Sequence, residues 1–202
     1  CSSDLKQNDM KKIVLLLLLL PAALTMQAQE NTPVPTAFAD MITRLKVMHY
    51  LDDAALTYFL NGLQGDVAGY YKAVLKDNPV KGFDIGKYLG FSESPADAPA
   101  FINAVAEKNA AALLDIMEQY GYPSFSRLKA FVPNSKSLSA AIFIDRAPEE
   151  YKRKFRQALR DQYKEGNMTK REYAICMRFA KSDAIYVSDD LSAPVMVAGV
   201  KE

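Results

Sequence analysis

Cysteine and histidine are scarce in this chain of 202 residues, which contains only Cys1, Cys176 and His49 of these two types. Cys1 precedes a segment that we expect to be removed on export, so the mature protein would hold one thiol and no intramolecular disulfide. One thiol and one imidazole are a poor ligand set for zinc. Cys176 stands in an apolar helical run and is expected to be buried and unreactive. The composition therefore predicts a fold that depends on its hydrophobic core, with neither a metal nor another cofactor.

Neither sign of charge is in excess. The chain has 25 lysines and arginines and 24 acidic residues. Removal of residues 1–28 would take away three basic residues and two acidic ones, which leaves 22 of each. A neutral mature protein gives no reason to expect nucleic acid as a partner.

The N-terminal segment carries the pattern of a secretory signal peptide over residues 10–28. Met10 and two lysines precede about a dozen apolar residues, and residues 26–28 offer a cleavage site before Gln29. The apolar run is short for a membrane span, and an uncleaved anchor helix is the alternative. We expect residues 1–9 to lie upstream of the translated protein. The product would be exported to the periplasm or secreted, with no transmembrane span after cleavage.

The strongest structural signal lies in residues 99–123 and predicts the central helix of the core. Its apolar residues recur at steps of three and four: Phe101, Ile102, Val105, Leu113, Ile116, Met117 and Tyr120. Pro99 suits the first turn of a helix, where a missing N–H costs nothing. Gly121 followed by Pro123 predicts the C-terminal end.

Further helices are expected on both sides of this segment. They are one long or broken helix from Phe38 to Gly62 or Gly65, a short helix at Val67–Asp77, a buried helix at Ser137–Ala147, and a helical hairpin from residues 148–165 and 169–181. For the short run at Ser137–Ala147, a strand is the alternative. Residues 29–36 predict a linker and residues 81–98 a packed loop. Residues 183–200 predict a small β-hairpin or an extended arm. The fold class is therefore mainly α, with a single bundle of six or seven helices over residues 37–202.

Three polar residues of the first long helix form a candidate for acid–base chemistry: His49, Asp52 and Asp53. Neighbouring residues on a helix point about 100° apart, so the two carboxylates cannot converge unless the helix breaks there. A packed or surface histidine beside a solvated acidic face is the competing interpretation. The glycines around Lys87 are spaced unlike a phosphate-binding loop, and neither Ser nor Thr follows that lysine.

A basic stripe is the other candidate surface. Residues 146–181 contain eleven basic and five acidic residues, a net charge of plus six in an otherwise negative mature protein. Four of the cations share one face of the helix at residues 148–165: Arg153, Arg156, Arg160 and Lys164. Such a stripe could meet an anionic component of the cell envelope or an acidic protein. A solvated face is the alternative, with an aromatic and aliphatic stripe turned inward: Tyr151, Phe155, Leu159 and Tyr163.

Four segments between residues 109 and 179 resemble an uncharacterised, often exported bacterial domain family. They are Gly121-Tyr122-Pro123, residues 140–144 (A-A-I-F-I), residues 150–155 (E-Y-K-R-K-F) and Tyr173-Ala174. The resemblance implies a helical, exported domain. The family has a histidine after its Ala-Ala helix and an acid before an arginine in its last helix, and this chain has neither. No activity follows from the resemblance.

Two classes of function remain open on the sequence. One is an exported, non-catalytic binding or scaffold protein of the cell envelope, because no nucleophile, metal or acid–base motif stands out. The other is a hydrolase or transferase whose site forms only in three dimensions, from His49, Asp52 and Asp53 against the loop at Lys87. A hydrogen bond from His49 to a carboxylate in a cleft would favour the enzyme, and packing against apolar side chains would favour the binding protein.

Overall fold

A computed structural model describes residues 35–60, 66–132 and 138–182, which all belong to one compact unit that begins at Pro35. These residues contain eight helices and no strand: α1 Thr36–Leu60, α2 Val67–Lys76, α3 Ile85–Leu89, α4 Ala98–Tyr120, α5 Phe125–Leu128, α6 Ala141–Asp145, α7 Glu149–Lys164 and α8 Lys170–Phe179. The predicted mainly α, multi-helix bundle is confirmed. The predicted signal peptide, most of the linker and the C-terminal hairpin or arm lie outside the described residues.

The α4 helix is the central element, as its sequence predicts. Asp97 is the N-cap and accepts a hydrogen bond from the Ala100 N–H at 2.8 Å, with Pro99 in the first turn. Gly121 ends the helix with φ of 77°, and a Cβ there would lie 2.8 Å from side-chain atoms of Arg127 and Asn167. A glycine is therefore required at this end of α4 for two independent reasons.

The α1 helix packs antiparallel to α4. Near one end, the Tyr120 hydroxyl lies 3.2 Å from the Asp40 carboxylate, and further along the Asn109 amide nitrogen donates to the Met48 carbonyl oxygen at 3.0 Å. The Asn109 oxygen accepts from the Tyr88 hydroxyl at 3.0 Å, which ties α3 to the same point. Because Asn109 is 2% exposed, these two hydrogen bonds satisfy its buried amide and link α4 to both α1 and α3.

Two hydrophobic clusters share α1 and α4. The larger lies between the first half of α1, the second half of α4 and the helices that follow, with Met41, Leu45, Leu113, Ile116, Phe143, Phe155 and Leu159 among its buried members. The smaller joins the other halves of α1 and α4 to α2 and α3, with Val47, Leu51, Tyr71, Ile85, Phe101 and Val105. The α1–α4 pair therefore connects the two halves of the core.

The helical hairpin forms as predicted, but its inward face differs from the predicted one. Thr169 and Glu172 make the capping box at the start of α8. Phe155 and Leu159 are buried as expected, whereas Tyr163 is 40% exposed. The other buried positions of α7 are Lys152, whose Nζ donates to the Ser182 carbonyl oxygen at 3.0 Å, and Gln162, whose Oε1 accepts from the Tyr122 N–H at 2.6 Å. Periodicity counts only apolar residues, so it cannot find polar side chains that are buried because they have partners.

Two segments also differ from their predicted form. Within the described part of the segment expected to be a buried helix at Ser137–Ala147, the α-helix spans Ala141–Asp145, and Pro148 disfavours helical geometry at the residue before it. The loop expected at 81–98 contains α3, which Asp84 caps and Gly90 ends with φ of 81°. These cap signals were present in the sequence, but the four-residue spacing of the glycines obscured them.

Candidate functional site

His49 lies half-buried on α1, packed against an aromatic ring. The centroids of the His49 and Phe143 rings are 4.7 Å apart and the rings are tilted by 53°. Nε2 is buried and has no hydrogen-bond partner among the described residues. Burial lowers the pKa of His49, which outweighs the raising effects of a backbone hydrogen bond with Leu138 and of the Asp52 and Asp53 carboxylates. The imidazole is therefore neutral at pH 7 and serves as packing.

Asp52 is used in a different way, as half of an ion pair with Arg146. Its carboxylate is buried, while the guanidinium is 30% exposed. Burial raises the pKa of Asp52, and the adjacent Arg146 opposes that shift through its charge and its hydrogen bond. The pair joins α1 to the residue that follows α6.

Asp53 points away from this pair. It is exposed and lines a shallow pocket with Tyr50 and Tyr70. The α1 helix runs unbroken through this region, so the divergence expected for adjacent helical residues is observed. Lys87 lies on α3 and lines a separate cleft in which none of His49, Asp52 and Asp53 takes part. The described residues thus place each of the four members of the candidate acid–base site in a different environment.

Beside the Asp52–Arg146 pair lies a groove of about 250 Å³ between α1 and α4. Its walls are mainly apolar and consist of Ala55, Leu56, Phe59, Ile102, Val105 and Ala106. The polar residues of the lining are Asn103, Asp145 and the Asp52–Arg146 pair. The groove can hold an apolar group. It offers no nucleophile with an adjacent base.

The four cations of the basic stripe divide into two kinds. Arg153, Arg160 and Lys164 are exposed on α7, and the ion pair of Lys164 is a 4.0 Å contact at the surface with Asp161. Arg156 is instead half-buried, donating to the Ala180 carbonyl oxygen at 2.7 Å and lying 3.3 Å from the Glu149 carboxylate. Three of the four predicted residues are therefore available to a partner, and the fourth holds α7 against α8.

Tyr163 of α7, which the helical periodicity predicts to face the core, instead pairs with an aromatic residue of α8. Tyr163 and Tyr173 stack with their centroids 4.7 Å apart and their planes at 15°. Lys170 precedes Tyr173 by three residues, hence shares its side of α8, and is exposed. Lys181 is exposed directly after Ala180, the residue that Arg156 contacts. The α7–α8 hairpin thus carries exposed cations on both helices and directly after α8.

Cys176 is fully buried, as expected. Its Sγ lies 3.1 Å from the Tyr122 hydroxyl, in the wall of a mainly apolar pocket of about 230 Å³. Burial raises the pKa of the thiol to about 11, so the thiolate that would act as a nucleophile is rare at neutral pH.

Within the part of the chain that the structure describes, no three His, Cys, Asp or Glu residues come together in a way that could hold a metal ion. None of the helices described is both long enough and apolar enough to cross a membrane. Comparison with protein-family models, with curated proteins and with solved structures finds no match to this chain.

Proposed function

We propose that this chain is an exported, non-catalytic binding protein of the bacterial cell envelope that meets an anionic partner through its α7–α8 surface. This basic face consists of Arg153, Arg160, Lys164, Lys170 and Lys181. The observation that carries the proposal is the exposure of all five cations, four on the packed helices α7 and α8 and Lys181 directly after the C-cap of α8. His49 and Asp52 support binding over catalysis, because one packs against a ring and the other is held in an ion pair.

The charge of the rest of the protein predicts how the molecule is oriented on an anionic partner. Residues 146–181 carry a net charge of plus six, and the remainder of the predicted mature chain carries minus six. An anionic surface would therefore attract the hairpin and repel the rest of the molecule, which orients the protein as well as binding it. The exposed Tyr163 beside the cations adds an apolar contact of the kind that is enriched at interfaces.

The test of this proposal uses charge reversal at the exposed cations. The Arg153→Glu, Arg160→Glu double variant should lose retention on phosphatidylglycerol vesicles and on isolated cell-wall material. Wild-type retention should fall steeply between low and physiological salt, because exposed charges are screened over about 8–10 Å at 0.1–0.15 M. A matched control is Lys46→Glu, Lys81→Glu, which makes the same change of charge at exposed positions elsewhere.

If both double variants lose retention equally, retention depends on the net charge of the protein. That result would overturn the assignment of binding to the basic face. A wild type that binds neither material at low salt would overturn the anionic partner itself. The exported state has its own test. Mass spectrometry of protein from the periplasm or medium should find no peptide that covers residues 15–20, and recovery of those residues in a membrane fraction would contradict cleavage.

A further inference from the structure

A shallow pocket of about 270 Å³ lies between α1 and α2 and shares no residue with the basic face or with the Asp52–Arg146 pair. Each side contributes four residues at steps of three and four, which places each set along one side of its helix. They are Tyr50, Asp53, Ala54 and Thr57 of α1, then Tyr70, Ala73 and Val74 of α2 with its C-cap Asp77. An engineered cavity of about 150 Å³ takes up benzene, so a small organic molecule fits this pocket.

Two tyrosines cross between these helices in opposite directions. The Tyr50 hydroxyl of α1 donates to the Val74 carbonyl oxygen of α2 at 2.9 Å, and the Tyr70 hydroxyl of α2 donates to the Ala54 carbonyl oxygen of α1 at 2.6 Å. Burial raises the pKa of both phenols, so both stay protonated and keep these bonds. Because each hydroxyl is already used, the part of each tyrosine that remains for a ligand is its ring.

The charge of this pocket is negative. Asp53 and Asp77 are both exposed in its wall, and no basic residue is among the described residues that line it. Neither carboxylate forms an ion pair with a described residue. After burial, the Asp77 carboxylate is the second cause of the raised pKa of Tyr50, so its field reaches that side chain. The pocket therefore attracts a positively charged ligand.

The rest of the lining selects among cations. Aromatic rings attract a cation through their quadrupole, and quaternary ammonium groups are the ligands that use this attraction most clearly. A hard metal ion needs about six oxygen ligands, and the described residues hold no group of three acids, histidines or cysteines that could bind a metal. A primary ammonium is strongly hydrated, and the side chains of Ala54, Ala73 and Val74 cannot replace its water. Methyl groups on the nitrogen, in contrast, can pack against these three side chains.

We propose that the α1–α2 pocket binds a small organic cation with a methylated ammonium group, which lies against the rings of Tyr50 and Tyr70 and beside the carboxylates of Asp53 and Asp77. The cation is either a free molecule or part of a lipid headgroup, which share this chemistry. The proposal does not depend on the basic face, since that surface has the opposite charge and no residue in common with the pocket.

A nuclear magnetic resonance titration of the purified protein with choline, at constant ionic strength, tests the site. Choline should shift the amide signals of Tyr50, Asp53, Tyr70 and Asp77 in a saturable way. The dissociation constant should be on the order of 1 mM, because each contact at an exposed site contributes little. The probe 3,3-dimethyl-1-butanol has the shape of choline without its charge and should bind about tenfold more weakly.

Two substitutions of one tyrosine isolate the ring. Tyr50→Phe and Tyr50→Leu both remove the hydrogen bond to the Val74 carbonyl oxygen, and Tyr50→Leu also removes the ring. Tyr50→Leu should therefore bind choline about two- to fivefold more weakly than Tyr50→Phe. Urea midpoints of the two variants show that both are folded under the conditions of the titration.

The acids are tested at the surface, where substitution leaves the fold intact. Asp53→Asn and Asp77→Asn should each weaken choline binding about two- to fivefold. The matched controls are Glu107→Gln and Glu118→Gln, which make the same change of charge at exposed positions of α4 and should leave binding unchanged.

Binding of choline itself assigns the ligand to a free molecule. Binding of phosphatidylcholine vesicles that is lost in the Asp53→Asn, Asp77→Asn double variant assigns it to a lipid headgroup. Absence of saturable shifts with choline, together with no binding of these vesicles, would overturn the proposal. So would equal binding of the uncharged probe, or equal losses in the pocket variants and in the α4 controls, which would reduce the effect to net charge.

Discussion

Arg156 of α7 donates a hydrogen bond from Nη1 to the carbonyl oxygen of Ala180, the C-cap residue of α8, at 2.7 Å. The last carbonyl groups of a helix lack partners within it, and a cation there also meets the negative end of the helix dipole. Arg156 therefore stabilises the hairpin, although its position on α7 places it in the same stripe as Arg153, Arg160 and Lys164.

Charge reversal should separate these two roles. Arg156→Glu should lower the free energy of unfolding by about 2 kcal/mol, because a charged hydrogen bond is lost and a carboxylate is brought to a helix C-terminus beside Glu149. Arg160→Glu, at an exposed position of the same helix, should change it by about 0.5 kcal/mol or less. Urea denaturation followed by circular dichroism measures both. Equal losses would show that the contact with Ala180 does not matter.

Two aromatic residues of α7 give a second pair of variants whose stabilities can be compared. Phe155→Ala should cost about 3–5 kcal/mol, because the ring is fully buried in the larger cluster and its removal leaves a cavity. Tyr163→Ala should cost only about 1 kcal/mol, the value of an exposed aromatic pair. The midpoints of thermal unfolding rank the two variants. A larger loss for Tyr163→Ala would show that Tyr163 belongs to the buried face of α7, as the periodicity predicts.

The Asp52–Arg146 pair predicts a pH-dependent variant. Arg146→Met leaves the buried Asp52 carboxylate without a partner and should cost about 3 kcal/mol at pH 7, the lower end for a broken buried pair, because the guanidinium is partly exposed. The pKa of Asp52 is raised in the folded protein and rises further without Arg146, so the folded state binds the proton more tightly than the unfolded one. The loss of unfolding free energy in Arg146→Met, relative to the wild type, should therefore shrink as the pH falls from 7 toward 4.

The control for this effect removes the charge itself. Arg146→Met in an Asp52→Asn background should show a loss of stability that changes less with pH over the same interval, and the remaining change comes from His49, whose pKa Arg146 also lowers. Urea midpoints at pH 7, 6 and 5 are sufficient for the comparison. A deficit of Arg146→Met that grows on acidification would contradict the raised pKa.

Cys176 should react slowly with a thiol reagent such as DTNB at pH 8 in the native protein and rapidly in 6 M guanidinium. The thiol is fully buried, and its pKa of about 11 leaves little thiolate at pH 8. Native labelling as fast as that of the unfolded protein would show that α8 opens readily.

The local features of this fold were predictable, and α4 shows why. Its apolar period, its proline in the first turn and its C-terminal glycine are all encoded within one segment, and each acts on the backbone nearby. The capping box at Thr169 and Glu172 is of the same kind. The short helix α3 is not predicted although Asp84 caps it, because the four-residue spacing of the glycines is typical of a loop.

The candidate sites were less predictable. The exposed cations Arg153, Arg160 and Lys164 follow from helical periodicity, but nothing local distinguishes Arg156 from them. The buried and unpaired Nε2 of His49 carries no signal in the sequence, because the absence of a partner depends on what surrounds it after folding. The neighbours of a histidine also decide whether it serves as packing or as an acid or base. For His49 the neighbouring ring is that of Phe143, which lies on a helix far away in the sequence.

By itself, the sequence determined the helices, most of their ends and the apolar faces that form the core, because these depend on residues within a few positions of one another. Only the tertiary structure decided which polar groups meet. Asp52 pairs with a residue 94 positions away, Gln162 bonds to the backbone 40 positions away, and Arg156 contacts a carbonyl 24 positions away. A polar side chain can form a hydrogen bond or an ion pair with many groups of the chain, and the packing of the helices decides which of them lies next to it.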